Sequence, residues 1–142
     1  MSLVANAKKV ATNGSGKVPD QFSNCSKAFV ENIRREDLYL SVITIGEVVA
    51  GIKRLDDKKK YVELTTWLEN GLMDWFGDRI LSIDTKTMLQ WGSLQFELNR
   101  TLPVMDSLIA ATAITHGLTL VTRNTKDFIG YKNLPLINPW SM

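Results

Sequence analysis

Two patterns of apolar and polar residues alternate along the chain, one typical of strands and the other typical of helices. Together they predict strands separated by helices. Short β-branched or aliphatic runs predict strands at residues 38–44, 79–83, 118–122 and 134–138. Apolar residues repeated every three or four positions predict helices at residues 21–33, 45–55, 58–76, 86–100 and 103–117. Strands joined by helical crossovers pair in parallel. The pattern therefore predicts a three-layer α/β/α domain with a central, mainly parallel sheet.

Length and composition restrict the class of protein. The 142 residues match one domain over 1–142, with an atypical N-terminus at 1–18 that ends in the turn-forming stretch 13–20. No apolar run approaches the ~20 residues of a membrane span, and no secretory signal is present, so no membrane contact and a cytoplasmic location are expected. The single Cys25 and the lack of zinc-ligand spacing exclude a structural zinc site. The net charge of +2 only hints at a polyanionic partner.

Carboxylates gather at one predicted edge of the sheet. Glu47, Asp84 and Asp127 each follow a predicted strand, and Asp106 opens the apolar helix that leads back into the sheet. Ligands of open α/β sheets bind beyond the carboxyl ends of the strands. Carboxylates held close together repel one another, and a hard divalent cation, Mg²⁺ or Mn²⁺, is the usual compensation. A metal of this kind polarises a phosphodiester and activates water.

Each of these acids also has a simpler structural explanation. Glu47 lies off its apolar stripe and could be solvated, Asp106 could be a first-turn acid favoured by the helix dipole, and Asp127 could cap a turn. Their joint position favours a shared site for these three. Asp84 is instead predicted to be an N-cap, and the single histidine, His116, is predicted to cap the C-terminal end of a helix.

Three stretches resemble the PIN-domain ribonucleases of VapC and FitB type toxin–antitoxin systems. They read "LYLSVITIGEVVAGIKRL", "PVMDSLIAATAITHGLTLVTRNTKDF" and "LPLINPW", and the likeness extends over residues 19–140. In this resemblance Glu47, Asp106 and Asp127 match the second, third and fourth acidic metal-site positions, separated by 59 and 21 residues. Thr122 and Asn124 match the polar residues of the "TRN" motif, which support the site and approach the phosphate.

The resemblance implies a type II toxin that cleaves RNA endonucleolytically with Mg²⁺ or Mn²⁺. It implies Glu47 and Asp106 as the main metal ligands, and Asp127 as an outer ligand or water orienter. It also implies a homodimer that is inhibited by a cognate antitoxin, and contact with operator DNA only through the antitoxin complex.

The N-terminal stretch departs from this family. Members begin with a strand that ends in an Asp, the first metal ligand, whereas Ala5 stands in that place here and no acid occurs before Asp20. Weaker metal binding and impaired activity are therefore expected. The alternative is a catalytically inactive homologue that serves as an antitoxin-binding dimerisation module. A nucleotide-binding protein is excluded, because "NGSGK" lacks the first Gly and the Ser or Thr of a P-loop.

Overall fold

A five-stranded sheet forms the centre of the molecule. The computed structural model describes the backbone of residues 3–5 and the whole of residues 34–98 and 103–139. The strand order is β3-β2-β1-β4-β5. The strands are β1 (Leu3–Ala5), β2 (Leu38–Ser41), β3 (Ile80–Leu81), β4 (Thr119–Val121) and β5 (Leu136–Ile137).

Four of the five strands run in the same direction. β2 pairs with β3 in parallel and β4 pairs with β5 in parallel. The central strand, β1, is antiparallel to both β2 and β4, so β2 and β4 share one direction. The prediction of a mainly parallel sheet is confirmed for β2 to β5, and their carboxyl ends meet at one edge, called the carboxyl edge below.

Helices cover both sides of this sheet. The helices are α1 (Val42–Lys53), α2 (Lys58–Trp67), α3 (Met73–Phe76), α4 (Thr85–Glu97) and α5 (Val104–Thr115), with a π-helical segment (Leu68–Leu72) joining α2 to α3 and single 3₁₀ turns at Arg35–Asp37, Gly77–Arg79 and Thr125–Asp127. The helix predicted over 21–33 lies outside the described residues. None of the helices in the described segments is long and apolar enough to span a bilayer.

Several element boundaries differ from the sequence prediction, and two of them have a local cause. The predicted strand 38–44 is wrong after residue 41, because the Ser41 hydroxyl accepts a hydrogen bond from the Ile43 N–H at 3.1 Å and caps a helix that starts at Val42. The local cap overrides the β preference of the branched side chains. The predicted strand 79–83 shrinks to two residues, since a 3₁₀ turn occupies its first position.

The core has two halves, one on each face of the sheet. Leu38 and Leu40 of β2 pack against α1, the π-helical segment and α3, whereas Tyr39 between them lies on the other half. Leu120 of β4 joins that second half with α4, α5 and the loop before β5. This alternation is the period of two expected for a strand covered on both faces. The three-layer prediction is therefore confirmed.

Candidate active site

The loop after β4 is held by hydrogen bonds at the carboxyl edge. Thr122 is buried, and its N–H donates to Ile137 O at 3.0 Å, which ties the end of β4 to β5. The Thr122 hydroxyl accepts from the Asn124 N–H at 3.2 Å, and Asn124 O accepts from the Asp127 N–H at 3.0 Å. These bonds fix the backbone of Asp127 relative to the strand end.

Packing holds the same loop in place. Phe128 is 1% exposed, its N–H donates to Thr125 O at 2.9 Å, and its ring lies 6.5 Å from that of Tyr131. At the start of the loop, Asn138 Nδ2 donates to Arg123 O at 3.2 Å. The turn that carries Asp127 is therefore anchored from the core and from the segment after β5.

Asp106 and Asp127 form an electrostatic pair. Asp106 lies in the first turn of α5, and both residues are partly buried. Burial raises the pKa of Asp106 above its ordinary value, and the negative charge of Asp127 raises that pKa further. The structure thus brings together two of the three acids predicted to share a site, and the negative charges of these two carboxylates repel each other.

A buried hydrogen-bond network holds the first turn of α5. Ser107, next to Asp106, is fully buried; its hydroxyl donates to Val104 O at 2.7 Å and accepts from Trp91 Nε1 of α4 at 2.8 Å. In the sequence, Trp91 is one of the apolar positions of the helix predicted at 86–100, and Ser107 has no predicted role. The only available signal was a serine within an otherwise apolar helix, which needs a hydrogen-bond partner once buried.

Glu47 does not join this pair. It is exposed on α1, one turn after the buried Thr44. Across residues 34–98 and 103–139, no group of three or more His, Cys, Asp or Glu side chains lies close enough to hold a metal ion. Of the three acids predicted to share a site, the described residues thus bring together Asp106 and Asp127, and Glu47 lies apart from them.

Asp84 is a helix cap, as predicted. Its carboxylate accepts from the Thr87 N–H at 2.9 Å and from the Thr87 hydroxyl at 2.8 Å, and these bonds lower the pKa of Asp84. His116, the C-cap of α5, makes a smaller electrostatic contribution to the same lowering. Asp84 therefore interacts with the C-terminal end of α5, whereas Asp106 lies at the N-terminal end of that helix. Asp84 takes no part in the Asp106–Asp127 pair.

Residue 5 lies at the wrong end of β1 to replace a metal ligand. Ala5 pairs with Thr119 and Leu38, the first residues of β4 and β2, whereas Leu3 pairs with Val121, the last residue of β4. In this structure residue 5 therefore lies beside the first residues of β2 and β4, away from the carboxyl edge, and the effect of Ala5 on metal binding stays a prediction. The physical reason for this position is the antiparallel direction of β1.

The donor chemistry of the pair fits a hard divalent cation. Mg²⁺ takes oxygen ligands and is usually held by one or two carboxylates while keeping several waters. Asp106 and Asp127 supply two carboxylates, and their mutual repulsion is what a bound cation would relieve.

A protein-family model, "PIN domain", matches residues 19–133. The chain belongs to the PIN-domain family. It is similar to Toxin FitB of Neisseria gonorrhoeae, with 32% identity over 116 residues, 80% of this chain and 83% of the relative. It is also similar to VapC ribonuclease Y4jK of Sinorhizobium fredii, with 30% identity over 80% of this chain and 82% of the relative.

A solved structure of this family has the same fold. FitAB bound to an IR36 DNA fragment matches this PIN domain with a TM-score of 0.72 and 30% identity, covering 81% of this chain and 82% of the other. PIN-domain ribonucleases generally need a divalent metal, which agrees with the oxygen donors of the Asp106–Asp127 pair.

Proposed function

We propose that this PIN domain is the ribonuclease toxin of a type II toxin–antitoxin pair and hydrolyses RNA phosphodiester bonds endonucleolytically. The observation that carries the proposal is the pair of partly buried carboxylates, Asp106 and Asp127, at the carboxyl edge of the sheet. The similarity to a VapC ribonuclease supports the reaction class.

The residues of the site have distinct proposed roles. Asp106 and Asp127 would hold Mg²⁺ or Mn²⁺, and the bound ion would supply Lewis-acid stabilisation of the phosphoryl oxygens and acidify water. Thr122 fixes the loop through the Asn124 N–H, so that the Asn124 side chain, which is exposed, is available to the phosphate. Glu47, exposed on α1 outside the pair, is proposed to add a further carboxylate to the same edge of the sheet.

The proposed partners follow from the relatives. FitB is named a toxin, and FitAB has been solved with bound DNA. By analogy, this chain is proposed to bind a cognate antitoxin, to reach operator DNA only within that complex, and to form a homodimer in the cytoplasm.

A second candidate function is favoured by the small number of acids that could hold a metal ion. Within the described residues Glu47 does not complete a three-acid group, and no acid occurs before Asp20. A catalytically inactive PIN domain that only binds an antitoxin and dimerises would be compatible with both facts. Metal-dependent catalysis separates the two candidates.

The discriminating experiment is an RNA cleavage assay with purified protein. We expect single-stranded RNA to be cut in Mn²⁺ or Mg²⁺ and to remain intact in EDTA. An Asp106→Asn/Asp127→Asn double variant, purified identically, controls for contaminating ribonucleases. Equal cleavage by the double variant, or intact RNA with the wild type in both metals, would reject the ribonuclease proposal in favour of the binding module.

Metal affinity is expected to fall as the pH is lowered. The fall should begin at a pH above ~3.9, the pKa of an ordinary aspartate. Metal binding requires the ionised carboxylate, and burial and Asp127 raise the pKa of Asp106, so protons compete with the metal at a higher pH. Calorimetric titration of Mn²⁺ between about pH 4 and 7 measures this effect. Affinity that stays constant down to the ordinary aspartate range would contradict it.

Ala5→Asp is expected to leave Mn²⁺ affinity unchanged. Ala5 pairs with Thr119 at the start of β4, and the carboxyl edge lies at the other end of that strand. Calorimetry of this variant and of an Ala5→Ser control, with circular dichroism to verify folding, measures the effect. A gain in affinity of about tenfold or more in Ala5→Asp alone would contradict the observed strand direction.

A further inference from the structure

The charge around the carboxylate pair raises a question about how RNA approaches it. The segments that form this part of the carboxyl edge are residues 41–48, 104–107 and 122–128, and we call them the site segments. They carry three carboxylates, on Glu47, Asp106 and Asp127, and two cations, on Arg123 and Lys126. Without the two cations, a divalent ion would leave the segments with a net charge of −1, which repels a polyanion.

Arg123 and Lys126 reverse this sign. With both cations present, the site segments have a net charge of −1 before the ion binds and +1 afterwards. Both side chains are exposed, and both residues precede Asp127 on the same loop. An RNA phosphate near the carboxylate pair would therefore lie beside a loop that carries two exposed cations, and cations of this kind contact phosphates.

The loop that carries the two cations is held in place from several sides. The Arg123 carbonyl accepts from Asn138 Nδ2, and Lys126 belongs to the same 3₁₀ turn as Asp127. Phe128 anchors the end of this turn in the core. A loop fixed at these points needs little further ordering of its backbone when its side chains bind phosphate.

We propose that Arg123 and Lys126 form a clamp for the RNA phosphates that flank the scissile one. This rests on the proposed ribonuclease function and adds the residues that bind the substrate backbone. Each cation contacts phosphate and reads no base, so the clamp contributes affinity and position but no sequence preference.

The test is the salt dependence of RNA binding. Binding of a fluorescein-labelled single-stranded RNA is followed by anisotropy in Ca²⁺, with gels to verify that the RNA stays intact. Each phosphate contact contributes about 0.7 to the slope of log affinity against log salt, so Arg123→Ala/Lys126→Ala should reduce that slope by about 1.4. This reduction in slope corresponds to an RNA affinity of the double variant that is about 25-fold lower than that of the wild type at about 0.1 M salt.

Two controls make the result specific. Lys86→Ala removes an exposed lysine from the first turn of α4, away from the site segments, and should bind RNA like the wild type. Mn²⁺ affinity of the double variant should not decrease, because neither cation is a metal ligand.

The outcomes distinguish the clamp from the proposed function. A double variant with the wild-type slope and affinity overturns the clamp, even if the wild type cleaves RNA. Loss of slope in the double variant supports the clamp, even if the wild type binds RNA without cleaving it, in which case the proposed ribonuclease activity fails. A loss of slope in Lys86→Ala equal to that of the double variant also overturns the clamp, because the effect would then be one of total charge.

Discussion

Asp106→Asn is expected to lower the kcat/KM for RNA cleavage by at least about 100-fold. Loss of a residue that only hydrogen-bonds a metal ligand already lowers metal affinity or activity by about 10- to 100-fold, and loss of the ligand itself should have a larger effect. The amide keeps the size of the side chain but removes the negative charge that holds the cation. Initial rates with a labelled single-stranded RNA, measured across Mn²⁺ concentrations, give the loss and show whether more metal restores activity.

The fold should survive this substitution. Because burial and Asp127 raise the pKa of Asp106, its ionised form destabilises the metal-free protein, and this cost grows as the pH rises through that pKa. Replacement by Asn removes this cost at neutral pH, although it also removes a favourable first-turn charge. Asp56→Asn, which changes an exposed acid between α1 and α2, is the matched control and should keep full activity. Equal activity in both variants would show that Asp106 is not a metal ligand.

Phe128→Ala is expected to lower the free energy of unfolding by about 3–5 kcal/mol, the usual cost of truncating a buried phenylalanine. Phe128 is 1% exposed and packs in the core half that contains α4 and α5. Urea unfolding followed by tryptophan fluorescence measures the change. Because the same residue ends the turn that positions Asp127, Mn²⁺ affinity should fall as well under conditions in which the variant is still folded.

The neighbouring residue provides the control for this effect. Ile129 is 69% exposed, so Ile129→Ala should change the free energy of unfolding by no more than about 0.5 kcal/mol and leave metal affinity intact. Similar losses in both variants would show that general disturbance of the loop, rather than the Phe128 anchor, sets the stability.

Helix α5 shows what sequence reasoning can find. Its uniform apolarity predicted a buried helix, and Ile109, Ala110, Ala111 and Ala113 are all buried. The prediction of an acid in its first turn depended on the same local periodicity, and the structure places Asp106 there. Such features are determined by residues close together in the sequence.

Other features depend on contacts that the sequence does not encode locally. The direction of β1 is set by its pairing with β2 and β4, and a three-residue strand carries no sequence signal for parallel or antiparallel pairing. The bond between Trp91 and Ser107 joins two helices over 16 positions. The separation of Glu47 from the other two acids likewise depends on how α1 packs. Periodicity could predict that Glu47 lies at this edge of the sheet, but it could not predict its distance from Asp106 and Asp127.

The most direct test is calorimetric titration of Mn²⁺ into the wild type, Asp106→Asn and Asp127→Asn at neutral pH. If the carboxylate pair holds the cation used in RNA cleavage, the wild type binds Mn²⁺, and each substitution weakens binding by at least about tenfold. A wild type that binds no Mn²⁺, or variants that bind it as tightly as the wild type, would contradict a metal centre at Asp106 and Asp127.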